Sequence, residues 1–249
     1  MARSSLYQQV ASELRRAIYS GDLGPGAQLP TEADLMQVHG VSRNTIRLAL
    51  GALVNEGLIT RAPKRGTIVR DRRPLLIYPQ RELEPQPTGE MREAFAFAVT
   101  QEGREFSQNI EISIVNPVEE IASRLELAEG EEAVVRRRLR FVDGQPYNTN
   151  DSYFPRWLVG NSEIARPGDI NRGANRVLEE LGHAQVRVVD DIWARMPTQA
   201  EAERLQLELG TPVVVYVRVG YDGGDTPVRV ALSVFPADKH LIRYELGRR

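Results

Sequence analysis

The chain has 249 residues, 41% of them apolar and 27% charged, enough for one large domain or two modest ones with real cores. It contains no cysteine, which excludes disulfides, cysteine–zinc sites and thiol catalysis. The net charge of −2 is uneven: residues 1–73 hold 11 Lys/Arg against 6 Asp/Glu and the remainder 21 against 28, so nucleic acid is expected to meet the first part and not the second.

MARSSLYQQV lacks the apolar centre of a secretory signal, and no run reaches the length of a membrane-spanning helix. A cytoplasmic protein without membrane contact is expected. Leu6, Val10, Leu14 and Ala17/Ile18 recur at helical spacing and predict an amphipathic helix over 6–20, ended by the turn GDLGPG. No Lys-Ser/Thr follows those glycines, so they are not a phosphate loop. LPTEADLMQVHG predicts a second helix with Thr31 as N-cap, Asp34 three residues on, and Gly40 at its end.

VSRNTIRLALGALVNEGLI predicts a third helix, capped by Ser42. Ile46, Ala49, Leu50, Leu53 and Gly57 form its apolar stripe, while Arg43, Asn44 and Arg47 gather on another side near its start. GLITRAPKRGTIV then alternates about Ala-Pro-Lys-Arg-Gly as a β-hairpin does. Three helices and a hairpin make a winged helix-turn-helix over residues 1–70. In that fold the start of the third helix enters the major groove, where arginine matches guanine O6/N7 and asparagine matches adenine N6/N7. The hairpin tip, with Lys64 and Arg65, reaches the backbone or the minor groove.

LPTEADL…GVSRNTIRLALGALVNEGLITRAPKRGTIV resembles the DNA-binding domain of GntR-family bacterial transcription regulators, without a gap over residues 6–70. The resemblance implies DNA contacts from Ser42, Arg43, Asn44, Thr45 and Arg47, and from Lys64, Arg65 and Gly66 of the wing. Thr31, at the start of the second helix, is grouped with them. One departure is Ala33, which stands where many members carry Arg or Lys.

DRRPLLIYPQRELEPQPTGE, residues 71–90, holds four prolines and no sustained period, and is expected to be a semi-rigid extended linker. Residues 91–249 contain an internal repeat. An offset of 80 aligns NPVEEIASRLELAEGEEAVVRRRLRF (116–141) with MPTQAEAERLQLELGTPVVVYVRVGY (196–221), matching Arg124 with Arg204, Leu125 with Leu205 and Arg138 with Arg218. Each copy reads as a short helix, a strand, a hairpin turn and a returning strand. The expected product is an antiparallel sheet of two related halves with helices on one face, an α+β domain. Strand alternation puts Arg136, Arg138 and Arg140 on one side and Val135, Arg137, Leu139 and Phe141 on the other. Arg138 is the best candidate for a site, because its counterpart Arg218 persists while neighbouring positions change.

The two copies, with RLRFVDGQP and a closing F-P-A-D, are similar to the UTRA effector domain of the HutC subfamily, whose fold is related to chorismate lyase. The similarity covers about residues 90–245 and implies a small polar, often anionic, effector. By that resemblance the ligand positions fall on Arg138, Arg140, Ala174, Arg229 and Phe235, with Arg218 added from the repeat. Ala174, Arg229 and Phe235 depart from the sugar-phosphate pattern, which has serine, glutamate and tyrosine there. Gained arginine and lost glutamate favour a carboxylate- or phosphate-bearing ligand.

No catalytic set assembles from these residues. His39, His183 and His240 are scattered without carboxylates at metal spacing, and surface or helix-end roles are expected for them. Asp190 and Asp191 read as exposed charge on a strand. No metal or cofactor is expected. The expected protein is a homodimeric repressor that binds a palindromic operator on double-stranded DNA and answers a small anionic effector. The alternatives are a constitutive silencer with an empty pocket and, far behind, a chorismate lyase-like enzyme.

Overall fold

A computed structural model describes residues 5–62, 66–70, 74–83, 94–170, 172–207 and 210–247, and the chain divides into two units, Met1–Arg73 and Pro74–Arg249. In the first unit, α1 (Leu6–Ser20) buries Val10, Ala11 and Leu14 and ends at Gly21 in the left-handed region. Leu6, expected on that stripe, is exposed in the helix's first turn. In α2 (Glu32–His39) the cap is reciprocal: Asp34 N–H donates to Thr31 Oγ1 at 3.2 Å, and Thr31 N–H donates to Asp34 Oδ2 at 3.0 Å.

Helix α3 (Arg43–Asn55) starts at Ser42, whose Oγ accepts from Thr45 N–H at 3.2 Å. It buries Ile46, Ala49, Leu50 and Leu53 in one core with Val10, Leu14 and Leu35. The helix stops before Gly57, which has φ +63° and belongs to the following turn rather than to the helical stripe. Strands β1 (Ile59–Ala62) and β2 (Gly66–Val69) pair antiparallel, and Gln28 bridges to Ile68 on β2's other side. Gly66 turns at φ +77°, a conformation open to glycine at little cost.

The second unit runs through β3 (Leu75–Ile77), a 3-10 turn (Pro79–Leu83), α4 (Ala94–Gln101), β4 (Phe106–Val115), α5 (Glu119–Arg124), β5 (Ala133–Val142) and β6 (Gln145–Pro155). There follow α6 (Arg156–Val159), a second 3-10 turn (Glu163–Ala165), α7 (Ala174–Glu180), β7 (Arg187–Arg195), α8 (Gln199–Arg204), β8 (Val213–Tyr221), β9 (Pro227–Pro236) and β10 (His240–Ile242). The linker expected at 71–90 is corrected over 74–83. Leu75, Leu76 and Ile77 pair parallel with His240, Leu241 and Ile242, and Leu75 is fully buried. Three apolar residues and one 3-10 turn suffice to dock a segment whose average composition is that of a linker. Residues 71–73 and 84–90 of the expected linker lie outside the described residues.

Six strands form one antiparallel sheet in the order β4-β5-β6-β9-β8-β7. The sequence repeat is its architecture: β4-α5-β5-β6 and β7-α8-β8-β9 join at the centre through β6 and β9. Glu126 (φ 53°) and Gln206 (φ 49°) take the same left-handed turn after α5 and α8, just past the buried Leu125 and Leu205. Non-glycine residues there are uncommon, so the coincidence marks one turn used twice.

One face of the sheet packs Val135, Val215, Val217 and Val219 against Ile121, Leu125 and Leu205. The other face carries two apolar clusters, one around Val134, Phe154, Val159 and Leu178 and one around Val142, Tyr147, Phe95 and Leu75. Helices therefore cover both faces, which corrects the one-face expectation. Val134 and Val142 flank the arginines of β5 on the second face, and burying them requires a cover there too. Between those two clusters lies a polar strip. No helix among the described residues is long and apolar enough to cross a membrane.

Candidate DNA-binding and effector sites

The cap at Ser42 commits its hydroxyl to the first turn of α3, with Ser42 Oγ and Thr45 Oγ1 2.9 Å apart. Arg43, Asn44 and Arg47 are exposed beyond it, alongside the stripe of buried Ile46 and Leu50. Arg47 Nε lies 3.5 Å from Glu32 on α2, which fixes its stem while leaving its guanidinium mostly in solvent. Leu48 was not singled out in the sequence and is 51% exposed, one turn after Asn44 on the same face. Its exposure is visible only once α3 is packed, since it could as easily have been core. An apolar side chain there suits a thymine methyl. Lys64 and Arg65 lie outside the described residues, while Gly66 opens β2.

In the second unit β5 presents Arg136, Arg138 and Arg140 opposite Ser152, Asn150 and Asn148 of β6. The three arginines do different things. Arg136 is fully buried, and its guanidinium donates to the carbonyls of Ile164 (3.0 Å), Arg166 (2.9 Å) and Gly168 (2.6 Å). It clasps the turn after α6. Arg138 is 7% exposed and has only neutral partners, Asn150 Oδ1 at 3.3 Å and Ser152 Oγ at 3.5 Å. Among the described residues no carboxylate stands at ion-pairing distance from it. Arg140 reaches Asn148 Oδ1 at 3.4 Å and lies 5.0 Å from the centre of the Phe95 ring. Burial, and then repulsion from Arg229, pulls the Arg138 guanidinium down to about 10 and that of Arg140 to about 9. Both remain protonated at neutral pH.

Arg218 occupies the matching place on β8 with the opposite electrostatics. It is 2% exposed, donates to both oxygens of Asp190 at 2.7 and 2.8 Å, and gives Nη1 to Pro79 O (2.8 Å) and Glu82 Oε2 (2.6 Å). Its donors are committed, so it acts as a hub, not as the ligand contact expected from the repeat. Asp190, expected as exposed charge, is instead half-buried between Arg218 and Tyr244, whose hydroxyl donates at 2.6 Å. Asp191 pairs with Arg124 at 2.6 Å.

Arg229 on β9 donates to Glu82 Oε1 (2.6 Å), Asn175 Oδ1 (3.1 Å) and Ser152 Oγ (3.1 Å). Ala174 only begins α7 and packs on the apolar cluster; the neighbouring Asn175 is the polar contact. Phe235 is buried, its ring 4.7 Å from that of His240. His240 corrects the expectation of a surface or helix-end role. It sits among Tyr147, Phe95 and Phe235, with Nε2 3.2 Å from Asn148 Nδ2 and Nδ1 3.1 Å from Pro236 O. Burial lowers its pKa to about 3, so the ring is neutral. His183 Nδ1 lies 2.7 Å from Asp222, and His39 Nδ1 lies 3.4 Å from Glu13. No metal-binding group of His, Asp and Glu forms among the described residues.

Two kinds of site residue escaped the sequence. Asn148, Asn150 and Ser152 carried a signal, polar residues at period two within a strand bounded by Tyr147 and Phe154. Glu82 carried none, because it lies in a proline-rich stretch without periodicity.

Comparison with known proteins matches residues 6–69 to the bacterial regulatory proteins of the gntR family and residues 101–240 to the UTRA domain. An uncharacterized HTH-type transcriptional regulator of Streptomyces coelicolor is 30% identical over 246 residues, covering 96% of this chain and 91% of its own length. The HTH-type transcriptional repressor NagR of Bacillus subtilis is 26% identical over 98% of this chain and 95% of its own. Among solved structures, PhnF from Mycobacterium smegmatis superposes with a TM-score of 0.59 at 23% identity, covering 96% of this chain and all of PhnF. A GntR-family regulator reaches a TM-score of 0.66 at 23% identity, with 99% of each chain covered. These relatives are regulators and not enzymes, which removes the lyase alternative. A helix-turn-helix with Arg43, Asn44 and Arg47 exposed on its third helix, followed by a doubled antiparallel sheet matching the UTRA domain, makes this chain a member of the GntR family of bacterial transcriptional regulators, with a DNA-binding head and a UTRA effector-binding domain.

Proposed function

We propose that the protein is a homodimeric repressor that binds a palindromic operator and is controlled by a small anion bearing a carboxylate or a phosphate. The observation that carries the effector reading is Arg138: a buried guanidinium with neutral partners only is costly to keep, and a ligand anion would complete it. Arg229 and Arg140 stand with it on the same face of the sheet, and Phe235 and Ala174 supply apolar wall. On the DNA side, Arg43, Asn44, Thr45 and Arg47 read the major groove, Ser42 and Thr31 set the helix starts that face phosphate, and Lys64, Arg65 and Gly66 form the wing contact. Repressor-named relatives such as NagR support the sign of the response. The exposed apolar residues Val189, Ile192 and Trp193 on edge strand β7 support self-association of the second unit.

The test is selection of bound sequences from random DNA with the full chain, followed by gel shift on the winning site against carboxylates and phosphate esters. A two-fold symmetric site released by one class of anion is the expected result. A symmetric site indifferent to every anion would instead identify a constitutive silencer, and an asymmetric half-site would reject the dimer.

A further inference from the structure

Glu82 comes from the 3-10 turn that follows β3, yet it ends in the middle of the arginine strip. Its side chain is 29% exposed, and both of its oxygens are engaged: Oε2 by Arg218 Nη1 at 2.6 Å, Oε1 by Arg229 Nη1 at 2.6 Å and by Asn175 Nδ2 at 3.1 Å. Desolvation opposes its charge, but the Arg229 and Arg218 guanidiniums outweigh that and hold its pKa at about 2. It is a permanent carboxylate at neutral pH.

The partners of Arg229 and Arg138 overlap. Arg229 Nη2 donates to Ser152 Oγ at 3.1 Å, and Arg138 Nη1 approaches the same hydroxyl at 3.5 Å. An anion that bridges these two guanidiniums must compete with Glu82 for Arg229. Arg218 keeps its charge paired after the exchange, because Asp190 holds it through both oxygens, while its bonds to Glu82 and Pro79 O must break for the turn to leave. Arg229 would trade one carboxylate for another anion. Among the described residues, Pro79 O and Glu82 tie the turn to this strip, through Arg218, Arg229 and Asn175. Along the chain it follows the wing strand β2 by about ten residues.

We propose that Glu82 is a tethered anion occupying one end of the effector site, which an anionic effector displaces from Arg229, thereby releasing the 79–83 turn that leads from the DNA-binding head. This rests on the anion-site reading of Arg138. It makes Glu82 a determinant of affinity, since only molecules with the turn released bind at full strength. It also gives the effector a differential contact between two states, which any coupling to DNA binding requires.

Inorganic phosphate is the probe, titrated calorimetrically into the full chain, its Glu82→Gln variant and its Arg138→Met variant. Trypsin cleavage after Arg81, an exposed residue of the turn, reports release. Phosphate should bind Glu82→Gln at least tenfold more tightly than the wild type and should not bind Arg138→Met. A tenfold gain corresponds to a turn released in about one wild-type molecule in ten. Phosphate should also speed cleavage after Arg81 several-fold in the wild type, and Glu82→Gln should be cut at that faster rate without it. Equal affinities in wild type and Glu82→Gln, with binding lost in Arg138→Met, would overturn the role of Glu82 and leave the anion site standing. Absence of binding to all three would overturn both. The wild-type cleavage rate needs no variant to fold: if phosphate binds and leaves that rate unchanged, the release is disproved.

Discussion

Arg136 and Arg138 are two residues apart on one strand face, and their surroundings demand opposite responses to the same substitution. Arg136 satisfies three backbone carbonyls, and Arg136→Met leaves them buried without donors. A loss of about 3–5 kcal/mol is expected in denaturant unfolding. Arg138 contributes little to satisfying its neighbours, because Ser152 Oγ already donates to Asn150 Oδ1 at 3.1 Å. Arg138→Met removes a desolvated charge and should raise stability by about 1 kcal/mol while abolishing the effector response. A drop in stability would show that Arg138 is structural. On the recognition helix, Arg43→Ala should cost about 1–3 kcal/mol of operator discrimination in competition binding, as loss of a bidentate guanine contact does. Unchanged sequence preference would reject that role.

At the level of elements, β10 carries the feature most exposed to pH. His240 docks this short strand against Tyr147, Phe95 and Phe235 only as a neutral ring. Its pKa is about 3 in the folded protein against an ordinary value near 6.5, so the unfolded chain binds the extra proton first as pH falls. Stability from this group is whole above about pH 6.5 and is lost towards pH 3, by up to about 1.4 kcal/mol per pH unit. Thermal unfolding from pH 7 to pH 4 should therefore show a steep acid limb, and His240→Phe should flatten it even if its stability at pH 7 is lower. An unaltered limb in the variant would assign the acid sensitivity to other groups. Because β10 pairs with β3 next to the Pro79–Leu83 turn, this pairing also anchors one end of the turn that bears Glu82.

For the whole molecule, the two-fold symmetry of the proposed dimer would multiply every head contact. If Arg47 meets phosphate, Arg47→Ala removes one phosphate contact per protomer. The log–log slope of operator affinity against salt should then become shallower by about two in a dimer and by about one in a monomer. Measuring that slope on a symmetric site from 50 to 200 mM salt, a range in which such complexes lose about 10³-fold or more, separates the two. A slope identical to wild type would place Arg47 away from the backbone. The same count would apply to the effector in the proposed dimer: two sites, each with its own Glu82.

What the sequence determined by itself were the features that depend on near neighbours and repeated periods. Capping at Thr31 and Ser42, the α3 stripe from Ile46 to Leu53, the pairing of the two short strands after it and the 80-residue repeat are local or periodic, and each appears in the structure as read. The alternation of β5 likewise put Arg136, Arg138 and Arg140 on one face. Tertiary structure alone decided what those arginines meet. Arg136 finds carbonyls about thirty residues away, Arg218 finds a carboxylate 136 residues away, and Arg138 finds none among the described residues. Charge in a buried site is set by which distant segment closes over it, and no period or cap in the chain encodes that encounter. Glu82, invisible in a proline-rich stretch, became the central acid of the strip because three apolar residues before it docked against β10.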